Sequence, residues 1–229
     1  MNNKTQLIIQ LLFLALFIVL IVTGRVQIWV GLFLLGTIAS IYLGRIYCGW
    51  ICPINTAMNG VTWLKKIIGL KKQTIPRGLT GSWVRYLILD LFIAAFAFSM
   101  ITGRPIPALP GLFASGIILT FFFSEELWHR YLCPYGTILS LPALKSKHTM
   151  FVDQEKCSSC SVCKKVCPAG AVELNNEVYS IKKNSCLVCL DCSRSCKESA
   201  ISYGQASNSY AELHKYSIRG SVVNEAAKP

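Results

Sequence analysis

The sequence is poor in charge, and poorest in negative charge. Only 15% of its 229 residues are charged, and 11 acidic residues stand against 23 basic ones, for a net charge of +12. A soluble globular domain carries about a quarter charged residues, and a disordered chain is poorer in apolar residues than the 53% found here. No three-residue or seven-residue repeat is present, which excludes a collagen or a coiled coil.

Several cofactor signatures are also missing. The sequence has no Cys-x-x-Cys-His for c-type haem, no nucleotide-binding loop and no dinucleotide fingerprint. Its long apolar runs contain no histidine, so the paired axial ligands of a membrane b-haem are lacking. Electron transfer by this chain is therefore expected to depend on its 11 cysteines.

Four apolar runs dominate the first part of the chain. They cover residues 6–23, 26–44, 86–101 and 106–123. As helices they would be about 24–29 Å long, close to the thickness of the hydrocarbon core of a bilayer. The runs lack the polar faces of soluble helices, so they predict four transmembrane helices. The first is expected to be retained as an anchor rather than cleaved as a signal peptide.

Basic residues are concentrated between the second and third runs. Residues 45–85 contain seven Lys or Arg and no acidic residue, whereas the two short turns carry only Arg25 and Arg104. Because basic loops stay in the cytoplasm, this predicts a multi-pass protein of the cytoplasmic membrane. Its N-terminus and everything after the fourth helix are expected in the cytoplasm. The basic excess then indicates topology and contact with membrane lipid, not nucleic-acid binding.

The membrane segment contains an internal repeat. The nine residues that begin at Cys48 recur in related form from His129, and the Thr-Gly-Arg turn at residues 23–25 recurs at 102–104. Each unit is a helical hairpin, a Cys-Pro turn and a short helix. Two helices return the chain to the same side, so the units are expected to be parallel repeats.

The Cys-Pro turns are candidates for a further metal centre. Proline is favoured at the first helical position, which places Cys52 and Cys133 at helix N-termini, where a thiolate is stabilised. The hypothesis is that Cys48, Cys52, His129 and Cys133 converge on a third centre, with an iron–sulfur cluster as one candidate. The alternative is that His129 is an interfacial histidine and the cysteines are free or redox-active thiols.

Eight cysteines lie in two runs that share the spacing Cys-x2-Cys-x2-Cys-x3-Cys, 29 residues apart. This pattern is typical of a bacterial ferredoxin with two [4Fe–4S] clusters, in which each run supplies three ligands to one cluster and a fourth to the other. Zinc sites favour separated cysteine pairs, and disulfides are disfavoured in the cytosol. The predicted ligand sets are Cys157, Cys160, Cys163 and Cys196 for one cluster, and Cys186, Cys189, Cys192 and Cys167 for the other.

Four apolar helices, two Cys-Pro turns and a pair of cysteine runs together resemble the NapH-type membrane ferredoxins. These are the quinol-dehydrogenase membrane subunits of periplasmic nitrate reductase systems. Residues 6–201 carry the resemblance, which extends to the C-terminal portion of NosR-type and CcoG-type proteins. The family repeats Cys-x3-Cys-Pro twice, whereas here His129 takes the first cysteine position of the second copy. The resemblance implies electron transfer between the quinone pool and a redox partner.

The expected architecture is a membrane α-helical bundle followed by an α+β two-cluster bacterial ferredoxin-like domain. The bundle consists of four transmembrane helices in two parallel hairpin repeats. Residues 1–150 are assigned to the membrane domain and residues 151–203 to the ferredoxin domain. Residues 204–229, rich in Ser, Asn and Ala, are assigned to a flexible tail.

Three carboxylates are candidates for the chemistry of a quinol dehydrogenase component. Asp90 lies inside the third apolar run, and Glu125 and Glu126 follow the fourth. Ionisable groups at membrane depth are functional candidates, here for proton exchange with a bound quinone or quinol substrate. A snorkelling or arginine-paired role is the alternative for Asp90. Two other functions stay open for the chain: an accessory reductase in metalloenzyme maturation, and an iron–sulfur sensor of redox state or oxygen.

Overall fold

The computed structural model describes residues 3–70, 75, 79, 81–102, 108–175 and 178–205. Three sequence features lie outside these residues. They are the second Thr-Gly-Arg turn beyond Thr102, the tail beyond Gln205, and part of the basic loop, namely Lys71, Lys72 and Arg77.

The first part of the chain is helical. The helices are α1 (Asn3–Val22), α2 (Gln27–Leu43), α3 (Ile46–Trp50), α4 (Pro53–Ile68), α5 (Ser82–Thr102), α6 (Ala108–Phe122), α7 (Glu125–Leu127) and α8 (Pro134–Ala143). A π-helical segment, Trp128–Leu132, joins α7 to α8. The four long helices α1, α2, α5 and α6 coincide with the four apolar runs of the sequence.

One described helix, Lys4–Val22, is long and apolar enough to cross a membrane by length and composition. Helices α2 and α6 are apolar but shorter, at 17 and 15 residues. Helix α5 has 21 residues and includes both Arg85 and Asp90. The expectation of four spans therefore stays a proposal.

The two helical hairpins pack in the same manner. Helix α4 contacts α1 of its own hairpin and α6 of the other, and α8 contacts α5 of its own hairpin and α2 of the other. Helix α3 contacts α1 and α2, just as the π-helical segment contacts α5 and α6. Each element of one unit thus has an equivalent neighbour in the second unit.

A glycine permits the close approach in each hairpin. A Cβ added at Gly36 of α2 would meet the ring of Tyr47 in α3 at 2.7 Å. A Cβ added at Gly116 of α6 would meet Ile54 at 2.7 Å and the ring of Trp128 at 3.3 Å. Real Cβ contacts are longer than these, so a larger residue at either position would push the short segments away from the long helices.

The second part of the chain is a small α+β unit. It contains β1 (His148–Val152), α9 (Val162–Val166), β2 (Val172–Asn175), β3 (Val178–Ile181), α10 (Asp191–Ser195) and β4 (Ile201–Gln205). Strand β1 pairs antiparallel with β4, and β2 pairs antiparallel with β3. Apolar residues of both strand pairs, including Met150, Val172 and Ile201, share one core.

The strands extend beyond the boundaries expected for this unit. The register of the outer pair places His148 opposite Gln205. The unit thus begins before residue 151 and continues past residue 203, into the segment assigned to the tail. The sequence of Gly204 and Gln205 carries no strand pattern, and only pairing with β1 makes them part of the sheet.

Candidate metal centre

The two cysteine runs fold into loops with the same backbone conformation. Ser159 and Ser161 in the first loop have positive φ angles of 52° and 62°, and Val188 and Leu190 in the second have 55° and 65°. This region is unfavourable for a β-branched residue such as valine. Turns of this kind direct successive backbone N–H groups inward as a concave nest for an anion, including iron–sulfur clusters.

The first cysteine set lines one cavity. A space of about 330 Å³ is bordered by the four thiols and by apolar side chains of Val152, Tyr179 and Ile201. Its cysteines are those predicted for one cluster, namely Cys157, Cys160, Cys163 and Cys196. Cys160 is exposed and the other three are partly buried. This cavity therefore opens to the surface at Cys160.

The second cysteine set lines another cavity, of about 320 Å³. Its cysteines are the other predicted set, namely Cys167, Cys186, Cys189 and Cys192. The N–H groups of Ala171 and Val188 donate to Cys167 Sγ at 3.3 Å and to Cys186 Sγ at 3.5 Å. Four thiols around one apolar cavity, with N–H donors to sulfur, fit the requirements of a [4Fe–4S] cluster.

Burial acts on these thiols in a consistent direction. It raises the pKa of Cys186 to about 12, and the nearby Cys167 thiol raises it further. Burial also raises the pKa of Cys189 well above its usual range. The thiolate form in this cavity therefore needs compensating positive charge, which an iron core supplies when bound.

The Cys-Pro turns begin helices, as the position of proline predicts. Cys52 is the N-cap of α4 and Cys133 is the N-cap of α8. The N–H of Gly136 donates to Cys133 Sγ at 3.3 Å, like the N–H donors in the ferredoxin cavities. Both sulfurs therefore lie at the positive end of a helix.

A widened turn precedes each N-cap cysteine. The N–H of Cys52 donates to Tyr47 O and the N–H of Cys133 donates to Trp128 O, both at 2.9 Å and both across five residues. Such π-type turns are rare and frequently occur at functional sites. They leave Cys48 and His129 in equivalent positions, four residues before the N-cap cysteine.

Burial also controls the titration of the Cys-Pro residues. It raises the pKa of Cys133 to about 11, and the nearby Cys48 thiol adds to this effect. Burial raises the pKa of Cys52 above its usual range, and the Cys48 and Cys133 thiols add to this effect. Burial lowers the pKa of His129 to about 3, with a further contribution from the Arg45 cation. The imidazole is therefore neutral at physiological pH, and its Nε2 is buried without a hydrogen-bond partner.

Arg45 is buried among these groups, with only 2% of its surface exposed. Its Nη1 donates to the carbonyl oxygens of Asn184 (3.1 Å) and Ser185 (3.4 Å), and its Nη2 lies 3.7 Å from Cys48 Sγ. Among the described residues, no carboxylate forms an ion pair with it. The sequence counted Arg45 as a loop charge that indicates topology, and its burial corrects that interpretation.

The first Cys-Pro turn is docked on the loop of the second cysteine set. A Cβ added at Gly49 would collide with backbone atoms of Leu187 and Cys189. Trp50 Nε1 donates to Val188 O at 3.0 Å. Cys48, Cys52, Cys167 and Cys189 contribute to one apolar cluster. The Cys-Pro turns and the second ferredoxin cavity are therefore directly adjacent.

Helix α1 reinforces this junction with two glutamines. Gln6 Nε2 donates to Gly49 O at 3.1 Å and to Cys189 O at 3.3 Å, and Gln10 Nε2 donates to Gly49 O at 2.8 Å. Gln6 Oε1 accepts a hydrogen bond from Arg194 at 2.7 Å. Sequence reasoning missed Arg45, Gly49, Gln6 and Gln10. The two glutamines had a signal, because they are polar residues four positions apart in an apolar run.

The three candidate carboxylates have different environments. Asp90 lies on the exposed side of α5. Glu125 is buried at the start of α7. Glu126 forms an ion pair with Arg130 at 3.0 Å and packs against Gly170, beside the second cysteine cavity. The pairing of Glu126 with Arg130 makes it a weaker candidate for proton exchange than the other two.

Within the described part of the chain, no three His, Cys, Asp or Glu side chains are arranged to hold a single metal ion. Both ferredoxin sets share this property, because ligands around a four-iron cube stand farther apart than ligands around one ion. The arrangement therefore does not favour a mononuclear zinc or copper site at any of these cysteines.

Comparison with known proteins supports the same chemistry. A family described as "4Fe-4S binding domain" matches residues 27–71 and 107–148, and a second family of the same description matches residues 150–173. The first two segments contain the two Cys-Pro turns, and the third contains the first cysteine run.

Three relatives are named ferredoxin-type or related proteins. Ferredoxin-type protein NapH of Haemophilus influenzae is 30% identical over 174 residues, which cover 66% of this chain and 58% of that protein. The chain belongs to the NapH-type ferredoxin family. Methylamine utilization ferredoxin-type protein MauN of Methylobacillus flagellatus is 26% identical, over 68% of this chain and 59% of MauN. Protein NirI of Paracoccus denitrificans is 27% identical, over 66% of this chain and 25% of NirI.

The matched region is thus less than two thirds of each of these three relatives. No solved structure matches the chain significantly. Membership of the family establishes the iron–sulfur chemistry, and the activity and partners of the chain are treated as proposals.

Proposed function

We propose that the chain is an integral membrane iron–sulfur protein that transfers electrons between the quinone pool and a redox partner. When bound, the two [4Fe–4S] clusters would supply one-electron carriers on the cytoplasmic side. The observation that carries this proposal is the pair of adjoining cavities, each lined by one complete set of four cysteines. Cys163, Cys167 and Cys192 contact the same apolar core, so the two sets share a wall.

The apolar surface of the long helices supports a membrane location. Large apolar side chains are exposed along α1, α2, α5 and α6, for example Leu12, Leu35, Leu91 and Ile118. Apolar surface on this scale is rare on a monomeric soluble protein. The basic loop between α2 and α5, and the repeated packing of the two hairpins, support four spans with a cytoplasmic ferredoxin unit.

Asp90 and Glu125 are proposed to exchange protons with quinol when it is oxidised. Asp90 lies one to two turns inside α5, and Glu125 lies at the end of α6, so both are near the expected cytoplasmic interface. Glu126 is retained as a third candidate, although its ion pair with Arg130 holds it in place beside Gly170.

Reduction of the clusters by a quinol analogue in anaerobic membranes tests the proposal. Bleaching of the iron–sulfur absorption on quinol addition is expected, and Asp90→Asn should slow it while the iron content is unchanged. An Asn175→Asp variant, on an exposed position of the ferredoxin unit, is a suitable control for altered charge. Normal cluster content with no reduction by quinol would contradict the quinone link and favour a role in metalloenzyme maturation or sensing.

A further inference from the structure

We propose that Cys48, Cys52, His129 and Cys133 hold a third iron–sulfur cluster, and that Arg45 is the buried cation that balances its charge. The inference deepens the proposed electron-transfer function and rests on it for the role of the centre. The existence of the centre is a separate question of iron binding.

The ligands come from two equivalent turns. In each turn a five-residue backbone hydrogen bond, Cys52 N to Tyr47 O or Cys133 N to Trp128 O, precedes a cysteine at a helix N-cap. His129 takes the place in the second turn that Cys48 takes in the first. Its Nε2 is buried without a partner in the described structure. An imidazole is an established substitute for a thiolate on an iron–sulfur cluster.

Arg45 indicates that the site is anionic. Its Nη2 lies 3.7 Å from Cys48 Sγ. The point where a Cβ of residue 136 would lie is 2.5 Å from the same nitrogen and 3.5 Å from Cys133 Sγ, so that nitrogen and Cys133 Sγ are within about 6 Å of each other. A buried guanidinium without an anionic partner carries a large desolvation cost. Thiolates on either side of it provide the missing negative charge.

The charge of an iron–sulfur cluster matches this single cation. An oxidised [2Fe–2S] or [4Fe–4S] core carries two positive charges. Three thiolates and one neutral imidazole therefore leave one net negative charge, which one guanidinium balances. The absence of any described cluster of three ligands suited to a single ion argues against zinc or copper at the same place.

The position of the site gives it a role. Ala169 and Leu187 pack with Cys48, Cys167 and Cys189 in one cluster, so the third centre would adjoin the second ferredoxin cavity. Arg45 also binds the carbonyl oxygens just before Cys186. Its charge therefore acts on both centres, and the third centre lies on the side of the α1–α8 bundle, where electrons would enter from or leave to the membrane.

Iron and sulfide analysis of anaerobically purified full-length protein tests the ligand set. On the order of ten irons per chain are expected with a third [2Fe–2S] cluster and about twelve with a third [4Fe–4S] cluster. Cys133→Ser should lose this excess while the spectra of the two ferredoxin clusters persist. Ser140→Ala, a buried change one turn farther along α8, is the matched control and should retain all iron. About eight irons in the unmodified protein, or zinc or copper in place of the excess iron, would overturn the proposal.

Redox titration followed by EPR tests the histidine and the arginine without depending on activity. His129→Cys should keep the iron and shift one cluster to a more negative potential, because the change adds a negative charge. Arg45→Met should shift the same cluster in the same direction or empty it, and Arg45→Lys should restore it in part. Lys65→Met, which removes another buried cation away from the cysteines, is the control. Unchanged potentials and iron in both Arg45→Met and His129→Cys would contradict the assignment.

The two proposals can fail separately. Excess iron with no reduction by quinol would retain the third centre and reject the quinone link. Reduction of two clusters by quinol in a protein with about eight irons would do the reverse.

Discussion

Single residues at the junction between the helices and the ferredoxin unit depend on very short distances. Gly49 has no room for a side chain, because backbone atoms of Leu187 and Cys189 occupy the space where a Cβ would lie. Trp50 and Gln6 add hydrogen bonds to the same loop. The junction is thus formed by backbone contact, which tolerates no added methyl group.

Replacing Gly49 with alanine is expected to destabilise the protein by about 1–3 kcal/mol, since the added methyl group forces the cysteine loop away from α3. Thermal unfolding in detergent measures the effect, and loss of iron from the adjacent cavity should accompany it. Gly60→Ala is the matched control. It lies in α4 with open space around it, so it should stabilise the helix by about 0.5–1 kcal/mol. Equal melting temperatures for the two variants would argue against the close approach.

Lys65 is a second buried cation whose neighbour allows a matched comparison. Its Nζ donates to Thr120 O at 3.0 Å and to Phe123 O at 3.3 Å, and so satisfies carbonyl groups at the end of α6. Lys65→Met should destabilise the protein by roughly 1.5–3 kcal/mol, the usual value for a hydrogen bond to a charged group. Lys66→Met removes the same charge from an exposed position and should change the melting temperature little. A similar change in melting temperature for the two variants would exclude this capping role.

At the scale of secondary-structure elements, the two cysteine loops have the same backbone conformation but different environments. The loop after β1 leaves Cys160 exposed, whereas the loop after β3 buries Cys186 and Cys192 against the helices. Equivalent sequence spacing therefore produces one accessible and one protected cavity.

The accessible cavity is expected to lose its iron first. During timed treatment with an iron chelator under anaerobic conditions, about half of the ferredoxin iron should leave in a faster phase, with the EPR signal of the cluster on Cys157, Cys160, Cys163 and Cys196. The Gly49→Ala variant should accelerate the slower phase, because it opens the junction that protects the second cavity. Loss of both signals at one rate in the unmodified protein would contradict this difference in protection.

At the scale of the whole molecule, two similar hairpins present their short helices to each other's long helices. Helix α4 contacts α6, and α8 contacts α2, so neither repeat completes its packing alone. This exchange brings both Cys-Pro turns to one end of the bundle, next to the ferredoxin unit. The molecule therefore has its cysteines at one end and its exposed apolar helices at the other.

The proposed orientation predicts the result of reporter fusions. A periplasm-active reporter placed after Gly24, in the turn between α1 and α2, should be active. The same reporter after Gly69, at the end of α4, should be inactive, because the basic loop is expected in the cytoplasm. A fluorescent protein that matures only in the cytoplasm should give the opposite pattern. The reverse result at both positions would refute the orientation.

The sequence alone predicted the features that depend on residues close together in the chain. The spacing of the eight ferredoxin cysteines predicted two ligand sets, and each set lines one cavity. Proline after Cys52 and Cys133 predicted two helix N-termini, because proline at the first helical turn is a local preference. The apolar runs predicted the four long helices, although their number as membrane spans stays a proposal.

Tertiary structure decided what depends on residues far apart in the chain. Arg45 read as a loop charge, and only its approach to Ser185, 140 residues away, shows it as a buried cation among cysteines. Gly49 and Gln6 gained their roles from the loop at Leu187–Cys189, and Gly204 joined a strand through β1. Side-chain spacing within one segment follows from the covalent chain, whereas burial and charge balance follow from packing between segments, which no local pattern contains.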